Sequence, residues 1–317
     1  MKGFQRKDLV SIDSLSAEEI IMILDTADSM KQILRRDRKR VPPLQGKTVV
    51  TLFLEASTRT RTSFDLAAKR LSADTITVSA DASSLTKGET LLDTVRNLEA
   101  MQVDYVVLRH PQSGAAERLA RMVDASVVNA GDGWHEHPTQ SLLDIMTIRE
   151  RFGRFDGLNV LIVGDIAHSR VARSNIYGLN KLGAKVMVAG PGTLIPAGIG
   201  SDAEYPVEVY NRLDEALPKA DVVMMLRIQL ERIGRSLFPS EGEYARFYCL
   251  NSKRLAMARK DTIVMHPGPV NRGLEISSDV VDGKSSVVLP QVENGVATRM
   301  AVLYLLNRGP DAIRVGA

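Results

Sequence analysis

Short apolar, β-branched runs recur along the chain at Thr48 to Leu54, Thr75 to Ser79, Asp104 to Leu108, Asn159 to Val163, Lys185 to Ala189, Asp221 to Leu226 and Asp261 to Met265. Continuous apolar runs of this length, rather than strict alternation, are the pattern of parallel strands covered on both faces. Between several of them apolar residues return at helical spacing. Phe64, Ala67, Ala68 and Leu71 fall at i, i+3, i+4 and i+7 and would form one apolar face. Strand and helix alternate, so the predicted class is α/β, with parallel sheets flanked by helices. The pattern breaks at Phe152-Gly153-Arg154-Phe155-Asp156-Gly157, which sets a boundary between Arg151 and Asn159 and divides the chain into two similar halves, 1–150 and 151–293. A closing helix predicted over 294–308 carries Val296, Met300, Leu303 and Tyr304 on one face and is expected to pack back on a half. Gly190 to Gly200, with four glycines and two prolines, reads as a turn-rich loop.

The residues with chemical potential gather behind these strands. Ser57 to Arg61 follow the first, Arg109 and His110 the third, Gly164 to Arg170 the fourth, Arg227 and Gln229 the sixth, and His266 to Arg272 the seventh. Ligands of open α/β sheets bind beyond the carboxyl ends of the strands, so these segments are expected to converge on a cleft between the halves. The length of 317 residues suits two domains, each able to bury its own core. With 41 Lys+Arg against 38 Asp+Glu, the net charge of +3 gives no whole-chain reason to expect nucleic acid or an acidic membrane as partner. One cysteine, Cys249, excludes an intramolecular disulfide and fits a reducing, cytoplasmic setting. Met1 to Leu15 lacks the continuous apolar core of a signal peptide, and no apolar run approaches the roughly 20 residues that span a bilayer.

Glu55-Ala-Ser-Thr-Arg-Thr-Arg-Thr-Ser-Phe64 sets hydroxyls and guanidiniums at a strand-to-helix junction, where unpaired backbone N–H groups already favour an anion. Ser57, Thr58 and Thr60 add donors there, and Arg59 and Arg61 add charge, so a phosphate cradle competes with a plain helix cap followed by solvated arginines. In Gly131-Asp-Gly-Trp-His-Glu-His-Pro-Thr-Gln140, His135 and His137 are a candidate metal pair for a metal-dependent amidohydrolase. Pro138, however, suits the first turn of a helix, which puts His137 at its start, placed to hydrogen-bond an anion or a polarised carbonyl. Val160 to Arg170 resembles the start of a dinucleotide-binding unit, but Ile166 and Ser169 stand where glycines would be needed, which argues against NAD. Arg170 and Arg173 either face the cleft or pair with a surface carboxylate. Arg227, directly after a buried strand, needs a partner such as a substrate carboxylate, and the Pro267-Gly268-Pro269 turn either offers rigid carbonyls to an amide or is a turn only.

Together, Ser-Thr-Arg-Thr-Arg at 57 to 61, Ser-Leu-Thr-Lys-Gly-Glu at 84 to 89, Leu-Arg-His-Pro at 108 to 111, His-Pro-Thr-Gln at 137 to 140, Arg-Ile-Gln at 227 to 229 and His-Pro-Gly-Pro-x-Asn-Arg-Gly at 266 to 273 resemble the catalytic chain of the aspartate carbamoyltransferases. The resemblance runs in order over nearly the whole chain. Ornithine carbamoyltransferases share the first motif but typically carry cysteines where this sequence has Thr139 and Pro267. The resemblance implies a carbamoyl phosphate domain (1–150, joined by the last helix), an L-aspartate domain (151–293), and a transfer that needs no cofactor or metal. By the same likeness, Ser57, Thr58, Arg59, Thr60, Arg109, His137, Gln140 and the Gly268-Pro269 backbone hold carbamoyl phosphate. Arg59, Thr60, Arg109 and His137 are its catalytic group. Lys87, Arg170, Arg227 and Gln229 hold L-aspartate, with Ser84 and Lys87 reaching in from a neighbouring subunit of a homotrimer. An associated regulatory chain or dihydroorotase is a further expectation of the resemblance, and Gly268 stands where some members have leucine.

Overall fold

The computed structural model describes residues 4–79, 88–201, 204–229 and 240–307. The chain divides into two compact units, Met1–Leu143 with Glu293–Ala317, and Asp144–Val292.

In the first unit α1 (Ala17–Leu34), β1 (Thr48–Phe53), α2 (Thr58–Arg70), β2 (Asp74–Ser79), α3 (Leu91–Ala100), β3 (Tyr105–His110), α4 (Ala115–Ala120) and β4 (Ser126–Asp132) follow one another. The strands form one parallel sheet in the order β2-β1-β3-β4. Val50, Leu52, Val106 and Leu108 of its two inner strands, β1 and β3, and Val127 of β4 close a core with Val95, Ala116 and Leu119 of the helices. α1 starts at a capping box, in which the Ser16 hydroxyl accepts from Glu19 N at 3.2 Å and the Glu19 carboxylate accepts from Ser16 N at 2.9 Å. Arg6 then pairs with the same Glu19 at 2.6 Å, so one carboxylate caps the helix and anchors the N-terminal segment.

α5 (Pro138–Phe152) contains the division between the units, and Pro138 sits at its first position, where a missing N–H costs nothing. The second unit continues with β5 (Asn159–Val163), α6 (Arg170–Lys181), β6 (Lys185–Ala189), β7 (Val207–Tyr210), α7 (Leu213–Ala216), β8 (Val222–Met225), α8 (Glu241–Tyr248), α9 (Ser252–Leu255), β9 (Ile263–Met265) and α10 (Ser278–Val281). Its parallel sheet has the order β7-β6-β5-β8-β9. The connection from β5 to β6 runs to one side and β8 lies on the other, which makes the gap between β5 and β8 the switch point of the sheet. α11 (Val288–Leu306) ends in the first unit. There Lys31 Nζ reaches Asn294 Oδ1 at 2.6 Å, the Arg299 guanidinium lies 5.0 Å from the Phe64 ring centre, and Tyr105 donates to Asn307 at 3.2 Å.

All seven expected strands are present, and the α/β class with two parallel sheets holds. Two strands were not anticipated. β4 mixes two valines with Asn129, Ala130, Gly131 and Asp132, and β7 is a four-residue edge strand whose Glu208 and Val209 face outward. The last helix also starts earlier than expected, because Pro290 lies in its first turn, the one part of a helix that tolerates it.

Candidate active site

In the first unit the site residues stand at the carboxyl ends of β1, β3 and β4, three adjacent strands. Ser57 is the N-cap of α2, with an extended backbone (φ −163°), and its side chain makes no capping hydrogen bond. The first turn of α2 contains no acid and instead carries Arg59. α1, α3 and α8 follow the usual rule and place Glu18 and Glu19, Asp93, and Glu241 and Glu243 in their first turns. A cation at the positive end of a helix forgoes the dipole stabilisation that an acid would give there. Thr58 and Arg59 are exposed, Ser57 is half-buried and Thr60 is buried.

Arg109 lies opposite Phe53 in the β1–β3 ladder. Its Nη2 donates to Glu55 Oε1 at 2.6 Å and its Nη1 to the Ala130 carbonyl at 3.1 Å, with both side chains largely buried. Next to it His110 takes a hydrogen bond from Gln112 N on Nδ1, and burial holds its pKa below the usual range despite that bond and the nearby Asp132 and Glu55. His137 is 4% exposed, and its carbonyl accepts from Gln140 N and Ser141 N as α5 begins. The approach to His137 is fixed by two buried carboxylates. Asp132 accepts from Asn129 (2.8 Å), Gly114 N (2.6 Å) and Glu136 N (3.1 Å), and faces His135 Nδ1 at 3.2 Å. Glu136 takes Ser11 Oγ at 2.5 Å and Ile12 N at 2.8 Å. Burial alone would raise the pKa of Asp132, but the bonds from His135 and Asn129 bring it below the usual carboxylate range. His135, the other half of the candidate metal pair, thus has its Nδ1 on Asp132, and among the described residues no group of three or more His, Cys, Asp or Glu is arranged to hold a metal.

In the second unit Arg170 is the first residue of α6, 5% exposed, after the Ser169 N-cap that accepts from Ala172 N at 3.1 Å. This helix too opens without an acid. Asp165, just upstream, accepts the His168 backbone N–H at 3.1 Å and lies 2.9 Å from its ring Nδ1, while burial pushes its pKa up. Gly164 has φ +130°, and a Cβ there would come within 3.2 Å of both Leu226 Cβ and Tyr244 Oη, so glycine is needed for conformation and for space. The N–H groups of Ile166 and Ala167 donate to the Leu194 carbonyl at 3.0 and 2.9 Å. They are thereby spent where a dinucleotide fold would offer them to a pyrophosphate. Arg227 and Gln229 flank the buried Ile228 just past β8, across the switch point from Arg170. After β9, Gly268 adopts φ +66°, a conformation that favours glycine, and its peptide bond to Pro269 is cis. Ser84 and Lys87 lie outside the described residues.

The sequence motifs thus fall at the strand ends of their own unit, as expected from β1, β3, β5, β8 and β9. The supporting carboxylates Glu55, Asp132 and Glu136 carry no such signal of their own in the sequence, although all three sit inside the motifs. Residues 7–150 match the family model described as the aspartate/ornithine carbamoyltransferase carbamoyl-P binding domain, and residues 156–306 match its Asp/Orn binding domain. The chain is 61% identical over 303 residues to the aspartate carbamoyltransferase catalytic subunit of Syntrophus aciditrophicus, covering 96% of this chain and 98% of that one. It is 58% identical over 307 residues to that of Syntrophotalea carbinolica, covering 97% of each. Among solved structures, aspartate transcarbamoylase from Trypanosoma cruzi in complex with N-(phosphonacetyl)-L-aspartic acid superposes with a TM-score of 0.86 at 31% identity, covering 95% of this chain and 96% of that one. Ornithine carbamoyltransferase from Pyrococcus furiosus gives 0.85 at 31% identity, covering 96% and 98%.

Proposed function

Since the chain belongs to the aspartate/ornithine carbamoyltransferase family, we propose that the anion-receptive strand ends of its first unit hold carbamoyl phosphate and the arginines of its second unit hold L-aspartate. The activity is transfer of the carbamoyl group to the α-amine of L-aspartate, giving N-carbamoyl-L-aspartate and phosphate. The carbamoyl donor lies with Ser57, Thr58, Arg59, Thr60, Arg109, His137, Gln140 and the Gly268-Pro269 backbone. Arg170, Arg227 and Gln229 take the two carboxylates of aspartate. The neutral amine forms a bond to the carbonyl carbon, a tetrahedral oxyanion develops, and the bond to the phosphate oxygen breaks. The departing phosphate accepts the amine proton. Thr60, Arg109 and His137 donate to the oxyanion, and Arg59 with the α2 N-terminus stabilises the leaving group. Positioning two bound substrates supplies the remainder.

The observation that carries this reading is the start of α2, a helix whose first turn holds Arg59 and no acid, and whose N-cap hydroxyl does not cap. Specificity for aspartate over ornithine follows from charge, because Arg170 and Arg227 attract a second carboxylate and repel a side-chain ammonium. The assay that tests it is release of phosphate from carbamoyl phosphate with L-aspartate or L-ornithine as acceptor. Turnover with aspartate and none above background with ornithine is expected; preference for ornithine would overturn the assignment. The same reading places the chain in a homotrimer in the cytoplasm, with Ser84 and Lys87 donated across subunits, at the step of pyrimidine synthesis that makes N-carbamoyl-L-aspartate. Association with a regulatory chain or a dihydroorotase belongs to this level too.

A further inference from the structure

Past β8 the chain leaves the sheet, yet it must still present Arg227 and Gln229 at fixed positions. The last rung is Leu226 N to Val163 O at 2.8 Å. Ile228, 1% exposed, then plugs into a small apolar cluster with Leu194, Tyr244 and Leu274, while its two neighbours remain half-buried. Apolar packing fixes depth but not register, because it is non-directional. A directional contact comes from another loop. Asn271 Nδ2 donates to the Ile228 carbonyl at 3.1 Å.

Asn271 is itself tied to the Pro267-Gly268-Pro269 turn. Its backbone N–H donates to Glu275 Oε1 at 2.6 Å, and that oxygen lies 3.1 Å from His266 Nε2. His266 and Glu275 are both almost fully buried. Gly268 N donates to His266 Nδ1 at 2.8 Å, which assigns the ring proton to Nε2 and makes it the donor to Glu275. Gln291 Oε1 accepts from His266 N at 3.0 Å, Gln291 Nε2 donates to Asp144 Oδ1 at 2.7 Å, and Asp144 Oδ2 accepts from Asn175 of α6 at 2.9 Å. One buried polar chain therefore runs, within the second unit, from the helix that begins at Arg170 to the turn at Gly268 and on to the segment carrying Arg227 and Gln229.

We infer that Asn271 is a positioning residue for the aspartate-binding segment: through Ile228 it holds Arg227 and Gln229 in register with the Gly268-Pro269 turn, so that acceptor and carbamoyl contacts are set by one framework. This rests on the proposed assignment of Arg227 and Gln229 to aspartate. Glu275 and His266 act one step further back by fixing the turn from which Asn271 projects. Asn271 touches neither substrate in this account. Its contribution is geometric, and geometric errors of this kind are felt where orientation is needed.

The test compares Asn271→Ala with the isosteric Asn271→Asp, which turns a donor toward a carbonyl into an acceptor at constant volume. Two quantities are read: steady-state kinetics at saturating carbamoyl phosphate, and amide hydrogen exchange of a peptide covering residues 226–229. The expected result is a KM for L-aspartate raised about tenfold in both variants, with kcat changed by less than about threefold and exchange over 226–229 accelerated. A filler role alone would spare Asn271→Asp or lower kcat with the folded fraction at unchanged KM. A KM within about twofold of wild type in both variants, or unchanged exchange, overturns the inference. Arg227→Ala serves as the control on the underlying assignment. If it leaves the KM for aspartate unchanged, that assignment fails, while exchange at 226–229 still decides whether Asn271 secures the segment.

Discussion

Arg109 is oriented by the protein itself: Glu55 takes one end of its guanidinium and the Ala130 carbonyl the other. The pair is only slightly exposed, so screening by water is weak and a charge-assisted bond there counts for more than on the surface. Glu55→Gln keeps the shape and removes the charge. Losing about 1–2 kcal/mol of orienting interaction translates to roughly tenfold in rate if Arg109 acts on the developing oxyanion. We expect kcat to fall by about that factor, with carbamoyl phosphate affinity, read by thermal shift, changing less. An unchanged kcat would show that Arg109 needs no such partner. Arg109 was legible from the sequence as the cation that follows the third apolar run, and its role came from the Leu-Arg-His-Pro resemblance. Glu55 was not, because its partner lies 54 positions away and nothing local marks a carboxylate as supporting. Asp132 and Glu275 were missed although most of their partners are close in sequence, because the turns that aim Asn129, His135, Asn271 and His266 at them leave no pattern of spacing.

α2 opens on Thr58-Arg59-Thr60 where α1 opens with Glu18 and Glu19, so α2 forgoes helix-dipole stabilisation at the turn proposed to hold carbamoyl phosphate. Placing an acid at the exposed first position, Thr58→Glu, should therefore stabilise the free protein by about 0.3–1 kcal/mol while weakening carbamoyl phosphate binding at least about tenfold. Denaturant unfolding without ligand and a binding titration read the two signs separately, and a variant that binds normally would refute the cradle. Strands with uninterrupted β-branched runs, such as β1 and β5, were visible because burial on both faces leaves a composition signature. β4 was not, since Asn129 and Asp132 inside it serve the site by bonding each other and Val10 rather than packing. β7 escaped because an edge strand of four residues has too few positions to show a period.

For the whole molecule the surplus of +3 is spread over a chain whose proposed ligands meet Arg59, Lys87, Arg109, Arg170 and Arg227, more cations than the surplus itself. The near-neutral total therefore arises from acids placed elsewhere, several of them buried, and two of these, Asp132 in the first unit and Asp165 in the second, contribute to stability with opposite pH dependence. In the first, Asp132 has a folded pKa below its unfolded one, so its contribution is present above the usual carboxylate range and is lost as pH falls through the folded value. In the second, burial raises Asp165, so its contribution is fully present below the unfolded pKa and is lost as pH rises through the folded value. Both supports stand directly upstream of proposed ligand-binding residues, Asp132 before His137 and Asp165 before Arg170. Replacing each by asparagine removes its titration. The stability gap between wild type and Asp132→Asn, measured by urea unfolding, should then be wider at neutral pH than near pH 4, whereas the gap for Asp165→Asn should be wider near pH 4 than at neutral pH. Gaps that move in the same direction for both variants would mean that one of these carboxylates is not held as its hydrogen bonds and burial imply.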